Sequence, residues 1–479
     1  MTTPHEPLTP VRPHVLIVGA GLGGLMLGTL LEKANIPYTI FERATTVKPL
    51  GAAMSVGGQV MGVFRQLDIY DQYCEIAKPY TLNIAVKETG EKMLEMDYGI
   101  AEEICGYQNF IVPRPLFHNL LLNQVPPSKI LYGKRVHAID QDDEKVRIET
   151  TDGSTYEGDI LVGADGAYSG VRQQLYEALM EEGKLPESDQ EDLPFSCTCL
   201  VGQTEPLDLE VFYQLKDQNY PFVTTMCDDK PFMFTLYSTA QSTICWMVIR
   251  FHDVRSTKAA QERKYRRDDN SEWGPVAAQA MSDETKDIPI TLGNGTMTLA
   301  DIYNRTPKDR MSMVMLEEKL FQTWYHGRTV LLGDACHKLH PSGGQGAITA
   351  MHDAIALANL LYALPSNTTE AISKTFAEYH AERYPPAVAA FNGSQLLSEI
   401  RNKGLVGTMT LSLSFERYML LWVWRVILVS VVKNRPFIGF LPKVEEKKGA
   451  EPASKSPSAQ KARAMYKKRK GAATTVITP

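Results

Sequence analysis

The sequence lacks the features that mark metal-binding, secreted or membrane-spanning proteins. Its seven cysteines are an odd number scattered along the chain, and only Cys197 and Cys199 lie close together. A C-x-C pair without nearby His or Cys partners does not have the ligand spacing of a zinc site, so we expect no metal. The chain does not begin with a signal peptide, which together with the scattered cysteines predicts a reducing, intracellular compartment.

No apolar run is long enough for a simple membrane span. The stretch Tyr418–Val432 carries Arg425 in its middle, and as a helix it would reach roughly 22 Å, short of the ~30 Å hydrocarbon core. Residues 404–432 could form a core helix pair, a dimer face or a segment at a membrane surface. At such a surface Trp422 and Trp424 could contact both lipid and water. The expected location is therefore cytoplasmic or peripheral on the cytoplasmic face of an internal membrane.

The acidic body of the chain excludes a nucleic-acid surface. The net charge is −6, but residues 443–479 carry ten Lys or Arg against three Asp or Glu, which leaves about −13 for the rest. A surface of that sign repels phosphate backbones. The tail 443–479 has few large apolar residues, so it is predicted to be disordered. Its basic run from Lys461 to Lys470 predicts either contact with anionic lipid headgroups or a solvated, nuclear-import-like segment.

A nucleotide-binding loop opens the folded part. The apolar run His14–Val18 predicts a buried parallel strand, which Gly19-x-Gly21-x-x-Gly24 joins to an apolar helix ending near Ala34. The first glycine suits a tight turn, the second the approach of a pyrophosphate, and the third close helix packing. Glu42 ends the next strand, where it could accept hydrogen bonds from ribose hydroxyls. The loop alone does not separate FAD from NAD, and its alternative is a plain glycine-rich turn.

The fold class predicted for the chain is α/β. Residues 185–320 alternate apolar and polar residues in short runs, which predicts a mixed or antiparallel sheet. Long helices are predicted from near Gly346 and over roughly 370–402. The aromatic and Met residues of the sheet are expected to be mostly core, with a minority lining an apolar pocket: Phe212, Tyr213, Phe222, Met226, Phe232, Met233, Phe234, Tyr237, Trp246 and Met247.

Two later motifs carry a family resemblance. One runs from Asp159 through Asp165-Gly166 to Arg172, and the other from Arg328 through Gly333-Asp334 and His337 to Gly346, reaching Asp353-Ala354. In this order they resemble the class A FAD-dependent monooxygenases of the para-hydroxybenzoate hydroxylase type, and most nearly the fungal hydroxylases and epoxidases. The resemblance covers about residues 12–400.

The resemblance implies a domain plan. It places a discontinuous Rossmann-like FAD-binding domain of the GR2 type in 12–72, 106–175 and 325–365. A mixed β-sheet substrate domain would occupy 73–105 and 185–320, and a C-terminal helical region 366–442.

The resemblance also assigns cofactor contacts. Asp334 would hold a ribityl hydroxyl, and the helix N-terminus near Ala347 would lie under the flavin pyrimidine edge. Arg114 would lie along the cofactor, and Ser55 belongs to the flavin-side loop 51–55. The full predicted set is Gly19, Gly21, Gly24, Glu42, Arg43, Ser55, Arg114, Asp165, Asp334, Gly346 and Ala347.

Some of these residues have structural alternatives. Asp334 could be a turn or cap residue, and Asp165 with Arg172 could form a salt link between strand and helix instead of meeting FAD and the nicotinamide cofactor. His337 is equally consistent with a chemical and a packing role, whereas His340 is expected to be structural.

The activity implied is insertion of one atom of O2 into a hydrophobic small molecule, through a flavin hydroperoxide formed after NAD(P)H reduces FAD. The alternatives are an FAD-dependent dehydrogenase or oxidase and a non-catalytic flavin-fold protein of the Rab escort type. The related epoxidases carry an arginine in the segment that corresponds to Ser196–Gly202, which has none here, and Tyr213, Tyr220 and Tyr237 are open choices for its partner tyrosine. No catalytic residue is assigned, and hydroxylation and epoxidation both stay open.

Overall fold

The structure is a computed structural model. It describes residues 12–46, 53–227, 230–256, 272–273, 275–293, 296–402, 425–426, 428–429, 431–432, 435–445 and 456–475. Most of the apolar segment 404–432 therefore lies outside the described residues, and its contact with a membrane or a second chain stays a prediction.

The strands are β1 (Val15–Val18), β2 (Tyr38–Glu42), β3 (Ala53–Val56), β4 (Lys78–Tyr80), β5 (Leu82–Lys87), β6 (Lys92–Asp97), β7 (Asn109–Pro113), β8 (Ile130–Tyr132), β9 (Val136–Gln141), β10 (Val146–Thr150), β11 (Thr155–Gly158), β12 (Ile160–Gly163), β13 (Phe195–Gln203), β14 (Phe222–Met226), β15 (Phe232–Ser238), β16 (Ile244–Ser256), β17 (Glu272–Trp273), β18 (Ser312–Glu317), β19 (Lys319–Leu320), β20 (Tyr325–His326), β21 (Thr329–Leu331) and β22 (His337–Lys338). The helices are α1 (Leu22–Ala34), α2 (Met61–Leu67), α3 (Tyr70–Ile76), α4 (Ile100–Cys105), α5 (Arg114–Leu122), α6 (Gly170–Glu181), α7 (Glu187–Gln190), α8 (Pro275–Thr285), α9 (Leu299–Tyr303), α10 (Gly346–Tyr362), α11 (Thr369–Asn402) and α12 (Pro457–Thr475).

The first large sheet has the strand order β20-β21-β12-β1-β2-β8. Strand β1 lies at its centre and pairs in parallel with β2 and β12. All four of its residues are buried, as expected of a parallel strand covered on both faces. The predicted strand–loop–helix opening is confirmed, and so are the helix from Gly346 and the helix reaching Asn402.

The second large sheet has the order β17-β18-β13-β16-β15-β14-β5-β6. Its central strands are antiparallel, which confirms the mixed or antiparallel sheet predicted for 185–320. Because side chains alternate across a strand, the sheet has two different faces. One packs against α8 and α9 through an apolar core that includes Phe234 and Trp246. The opposite face carries a smaller cluster rich in Met and Cys.

A small sheet, β3-β7-β4, joins the two large units. Strand β7 runs directly into α5, so the sheet leads to Arg114. On the other side, the Ala53 backbone hydrogen-bonds the Cys245 thiol of β16, and the Tyr80 ring contacts Phe222 of β14 with centroids 5.3 Å apart. The Met- and Cys-rich face of the second sheet is therefore the one turned toward β3 and β4.

The C-terminal tail is not disordered throughout, contrary to the sequence-based prediction for 443–479. Residues Pro457–Thr475 form α12, which packs on α10 and α11. Small residues form part of the contact surface: Ala459 and Ala462 are fully buried, and a Cβ on Gly439 would lie 2.6 Å from the Ala462 Cβ. Tyr466 adds to it by packing against the core. Close backbone approach buries area without large side chains, so composition did not reveal it.

Polar contacts at its first turn also fix α12. Glu382 of α11 accepts hydrogen bonds from the Ser456 hydroxyl at 2.6 Å and from the Ser458 N–H at 2.8 Å. Lys461 forms an ion pair with Glu378 one turn earlier on α11. Among the described residues, no helix is both long and apolar enough to cross a membrane.

Replacing Ala462 with Leu tests this packing. Extra methylene groups at a fully buried site force α12 away from Gly439, and we expect the free energy of unfolding to fall by about 1–3 kcal/mol, measured in urea. Ala464→Leu is the control, because Ala464 is exposed on the same helix. Equal stability of the two variants would show that α12 does not pack as described.

Candidate cofactor site

The glycine loop between β1 and α1 has the backbone shape that its sequence predicts. Gly19 has a φ of +107°, and a Cβ there would lie 2.5 Å from the Ala164 carbonyl oxygen, so only glycine fits. A Cβ on Gly24 would meet the Gly19 carbonyl oxygen at 2.0 Å. At Gly21, in contrast, no heavy atom lies within 4 Å of the position that a Cβ would take. The first and third glycines therefore close the turn, and the second leaves room for a ligand.

Two helices begin at this region with N–H groups that no side chain caps. Gly21 precedes α1 and Gln345 precedes α10, and neither makes a side-chain cap hydrogen bond. Gly346 borders open space, and Ala347 follows it in the first turn of α10. An uncapped helix N-terminus offers free N–H donors and a partial positive charge, which suits an anionic or electron-rich ligand group. These two ends fit a dinucleotide that contacts the protein at both of its halves.

Glu42 is positioned by the loop that it supports. Its two carboxylate oxygens accept hydrogen bonds from the N–H groups of Ala20 and Ala44, both at 2.9 Å. The side chain is half-buried, whereas that of Arg43 is exposed. A carboxylate has about four acceptor positions, so two N–H contacts leave capacity for ribose hydroxyls. The hydrogen bonds to Ala20 and Ala44 were not foreseen from the sequence.

Asp334 lies in a charged cluster built from two distant segments. Its carboxylate forms an ion pair with Lys338 at 2.6 Å. Burial raises the pKa of Asp334, but Lys338 and, more weakly, Arg114 at the start of α5 outweigh this effect, and the net pKa lies below its usual value. Arg114 is thus close enough to Asp334 for their charges to interact. Asp334 is partly exposed, and its contact with a cofactor stays a prediction.

Asp353 of α10 holds the loop that contains Asp334 through hydrogen bonds. Asp353 Oδ2 accepts hydrogen bonds from the Gly333 N–H at 3.1 Å and from His337 Nε2 at 2.5 Å, and Oδ1 accepts from Arg383 Nε of α11 at 2.8 Å. Burial alone raises the pKa of Asp353, but His337 and Arg383 reverse this and lower it to about 2. The carboxylate is therefore ionised, and because it can only accept, His337 Nε2 carries the proton.

This network gives His337 the structural one of the two roles left open for it. The ring is fully buried, and its centroid lies 5.3 Å from that of Trp324, so His337 orients the loop from beneath. Cys336, His337 and Asp353 lie close enough to share a metal ion. However, the guanidinium of Arg383 already neutralises the same carboxylate, and a cation next to it would be repelled.

Arg383 was missed in the sequence. A charged residue on the buried side of a long helix was its only signal.

Asp165 and Arg172 do not form the direct salt link that was one alternative. Asp165 instead accepts hydrogen bonds from the Ser169 hydroxyl at 2.5 Å and the Val171 N–H at 3.2 Å, which caps the start of α6. Burial raises the pKa of Asp165. The Arg172 guanidinium donates to the Ala335 carbonyl oxygen at 2.8 Å, so it also supports the Asp334 loop.

Ser55 lies on β3, on the side of the small sheet that meets the second sheet. Its hydroxyl is 2.6 Å from the Tyr80 hydroxyl. Gly51 and Ala52, the first residues of the predicted flavin-side loop, lie outside the described residues. The structure therefore brings the glycine loop, Glu42, Asp165, Arg114, Asp334 and the start of α10 around one region, with Ser55 at its border with the second sheet.

The face of the second sheet turned toward Ser55 is uncharged across its central strands. Its side chains are Cys199, Val201, Phe222, Thr224, Thr235, Tyr237, Cys245 and Met247. Phe222, Tyr237 and Met247 are half-buried. Phe212, Phe232, Phe234 and Trp246 belong to the opposite core, as expected for most of the aromatic set. Tyr213 is exposed and Tyr220 packs against the opposite core, which leaves Tyr237 as the tyrosine on this face among the three considered.

Comparisons with known proteins agree with this geometry. Residues 12–394 match a protein family described as an FAD binding domain. The FAD-dependent monooxygenase paxM of Penicillium paxilli is 30% identical over 352 residues, which are 73% of this chain and 69% of that protein. The FAD-dependent monooxygenase ptmM of Penicillium ochrochloron is 27% identical over 420 residues, 85% of this chain and 92% of that protein.

Solved structures share the fold. The structure of Klebsiella pneumoniae HpxO complexed with FAD and uric acid has a TM-score of 0.63 at 18% identity, covering 87% of this chain and 92% of that chain. The structure of 2,6-dihydroxypyridine-3-hydroxylase from Arthrobacter nicotinovorans has a TM-score of 0.63 at 17% identity, covering 83% of this chain and 94% of that chain.

The Asp353 network predicts a specific pH dependence. Because its pKa in the folded state is about 2, below the ordinary 3.8, the ionised carboxylate stabilises the fold above pH 4. That contribution, on the order of 2 kcal/mol, is lost as the pH falls from about 4 to about 2. Asp353→Asn should therefore lower stability at pH 7 and flatten the acid-dependent loss measured by urea denaturation.

Asp283→Asn is the matched control, because Asp283 is exposed on α8. An Asp353→Asn protein that loses stability between pH 4 and 2 as steeply as wild type would contradict the assignment.

Proposed function

Because the chain belongs to the FAD-binding-domain family and is an FAD-dependent monooxygenase, we propose that NADH or NADPH supplies its electrons and that a hydrophobic small molecule receives the oxygen atom. The observation that carries the proposal is the convergence of the two uncapped helix N-termini with Asp334. Gly23 of α1 and Gly333 both approach Ala350 of α10, and the Leu332 side chain packs against Gly23, so these segments are in close contact.

The residues that would hold FAD follow from this arrangement. The Gly19–Gly24 loop and the start of α1 would bind the pyrophosphate, and Glu42, next to Arg43, would accept from the adenosine ribose. Asp334 would accept from a ribityl hydroxyl beside Arg114. The N-terminus of α10 at Gly346 would meet the flavin pyrimidine edge, where its partial positive charge stabilises negative charge.

Bound FAD would supply the redox and oxygen chemistry, because protein side chains do not activate O2. The work of this chain is to bind, orient and exclude water. The uncharged sheet face would hold an apolar substrate against the cofactor site, and its Phe222 and Met247 side chains would keep water out. The sequence offers no second glycine loop of the same kind for the nicotinamide cofactor, so the reductant would bind transiently, with Asp165 near its path.

A variant of Asp334 tests the cofactor assignment. Asp334→Ala removes an acceptor next to Lys338, and we expect the Kd for FAD to rise by about tenfold or more, since a charge-assisted hydrogen bond contributes roughly 1.5–3 kcal/mol. Binding is measured by quenching of FAD fluorescence. Asp309→Ala, at an exposed aspartate of the substrate domain, serves as the control. Equal affinities in both variants would remove Asp334 from the cofactor site.

Labelled dioxygen tests the reaction. Purified protein with FAD, NADPH or NADH and ¹⁸O₂ is incubated with extract that contains the natural substrate, and we expect one ¹⁸O atom in an apolar product by mass spectrometry. NAD(P)H consumption that returns all the oxygen as hydrogen peroxide, with no labelled product, would instead favour the dehydrogenase or oxidase alternative. A product mass that rises by one oxygen while a double bond is lost would identify epoxidation.

A further inference from the structure

The hydroxyl of Ser55 occupies the border between the cofactor site and the uncharged sheet face. Strand β3 pairs with β7 so that Ala53 lies opposite Pro113, next to Arg114, whose charge reaches Asp334. Ser55 follows two residues along the same strand. On its other side, the Tyr80 ring contacts Phe222 of the second sheet. Ser55 is therefore placed between the two predicted ligands, the cofactor and the substrate.

Tyr80 is held rigidly by rings from both units. Its centroid lies 5.5 Å from that of Tyr98 and 5.3 Å from that of Phe222, and Phe222 in turn contacts Tyr237 at 5.5 Å. Only 4% of Tyr80 is exposed, whereas Ser55 is half-buried. In this packing the Tyr80 hydroxyl lies 2.6 Å from Ser55 Oγ.

The direction of this hydrogen bond follows from the chemistry of the two hydroxyls. Burial, followed by the nearby Tyr98, raises the pKa of Tyr80 well above its usual value, so the phenol keeps its proton. A phenol is the more acidic donor and an aliphatic alcohol the better acceptor, so Tyr80 donates and Ser55 accepts. The Ser55 O–H then stays available for a second partner.

We propose that Ser55, oriented by Tyr80, donates a hydrogen bond to an acceptor oxygen of a neutral, otherwise apolar substrate. This inference rests on the proposed function and narrows its substrate class. The neighbouring side chains Phe222, Tyr237 and Met247 carry no charge. The buried Lys78 of β4 already donates hydrogen bonds to the Asp217 carbonyl oxygen and the Ser238 hydroxyl, so an ionised substrate would lose more hydration there than these groups return. A carbonyl, ether or hydroxyl oxygen needs only one donor. Ser55 is the specificity-determining residue, and Tyr80 is a positioning residue.

A matched pair of probes tests the proposal without knowledge of the natural substrate. Fluorene and 9-fluorenone are neutral, apolar and nearly equal in shape, and only the second carries an acceptor oxygen. Their binding to the full-length, FAD-loaded protein is measured by calorimetry. We expect wild type to prefer 9-fluorenone by about tenfold, as one hydrogen bond allows.

Variants then assign the preference to its donor. Ser55→Ala should make the two probe affinities equal, and Tyr80→Phe should reduce the preference because Ser55 loses its orienting partner. Tyr213→Phe, at an exposed tyrosine of the substrate domain, should leave it unchanged. If Ser55 had a purely structural role, its replacement would weaken the binding of both probes alike and leave the ratio of their affinities unchanged.

Two results would overturn the proposal: equal affinities for both probes in wild type, or a preference that survives in Ser55→Ala. A shift in the FAD reduction potential in Ser55→Ala without any probe, together with an unchanged probe ratio, would assign the donor to the flavin and so also overturn it. Reduction of bound FAD by NADH or NADPH is followed in the same samples. Its absence would contradict the proposed function, whereas the ratio of the probe affinities decides the role of Ser55.

Discussion

The Asp353 carboxylate receives three hydrogen bonds from two segments that are remote in sequence: the Asp334 loop, through the Gly333 N–H and the His337 ring, and α11, through the Arg383 guanidinium. A fully buried charge is costly unless it is paired and hydrogen-bonded, and removing one partner of such a pair leaves a penalty of roughly 3–5 kcal/mol. The Asp334 loop is consequently held to a single shape relative to α10 and α11. Asp334 itself lies at the surface of this network, partly exposed and paired with Lys338, so the residue expected to meet a ligand is held by an exposed ion pair.

The same loop also depends on the absence of side chains. A Cβ on Gly23 would collide with the Leu332 side chain at 2.7 Å, and one on Gly333 would approach the Ala350 Cβ to 3.0 Å. These contacts let α1 and α10 approach closely, and both helices begin in the region of the glycine loop and the Asp334 loop. Close-packed small residues thus place two uncapped helix N-termini near each other, which larger side chains would separate.

How far the sequence predicts this site depends on the range of the interaction. Local signals were sufficient for β1, the glycine turn and the starts of α1 and α10, because backbone conformation and amphipathic spacing are written within a few residues. Contacts with partners from other segments could not be predicted in this way. No residue near Arg383 in the sequence indicates its pairing with Asp353, and none near Glu42 indicates its contact with the Ala20 N–H. Alternation along β15 separates Phe234 from Tyr237, but it does not say which face the other domain covers. Helix α12 was missed because Ala459 and Ala462 bury area by proximity of backbones and not by size.

Three carboxylates at and below the candidate site have protein partners before any ligand arrives. Lys338 neutralises Asp334, Arg383 neutralises Asp353, and Glu42 accepts two backbone N–H groups. The first turns of α1 and α10 have no side-chain acceptor for their N–H donors, so the field at the site favours a ligand with negative charge on one half and a polarisable ring on the other. The sheet face beyond Ser55 has no comparable field because its side chains are uncharged. An ion would gain nothing by moving from water to that face, whereas an apolar molecule would, and the boundary between these two environments passes through the hydroxyl pair of Ser55 and Tyr80.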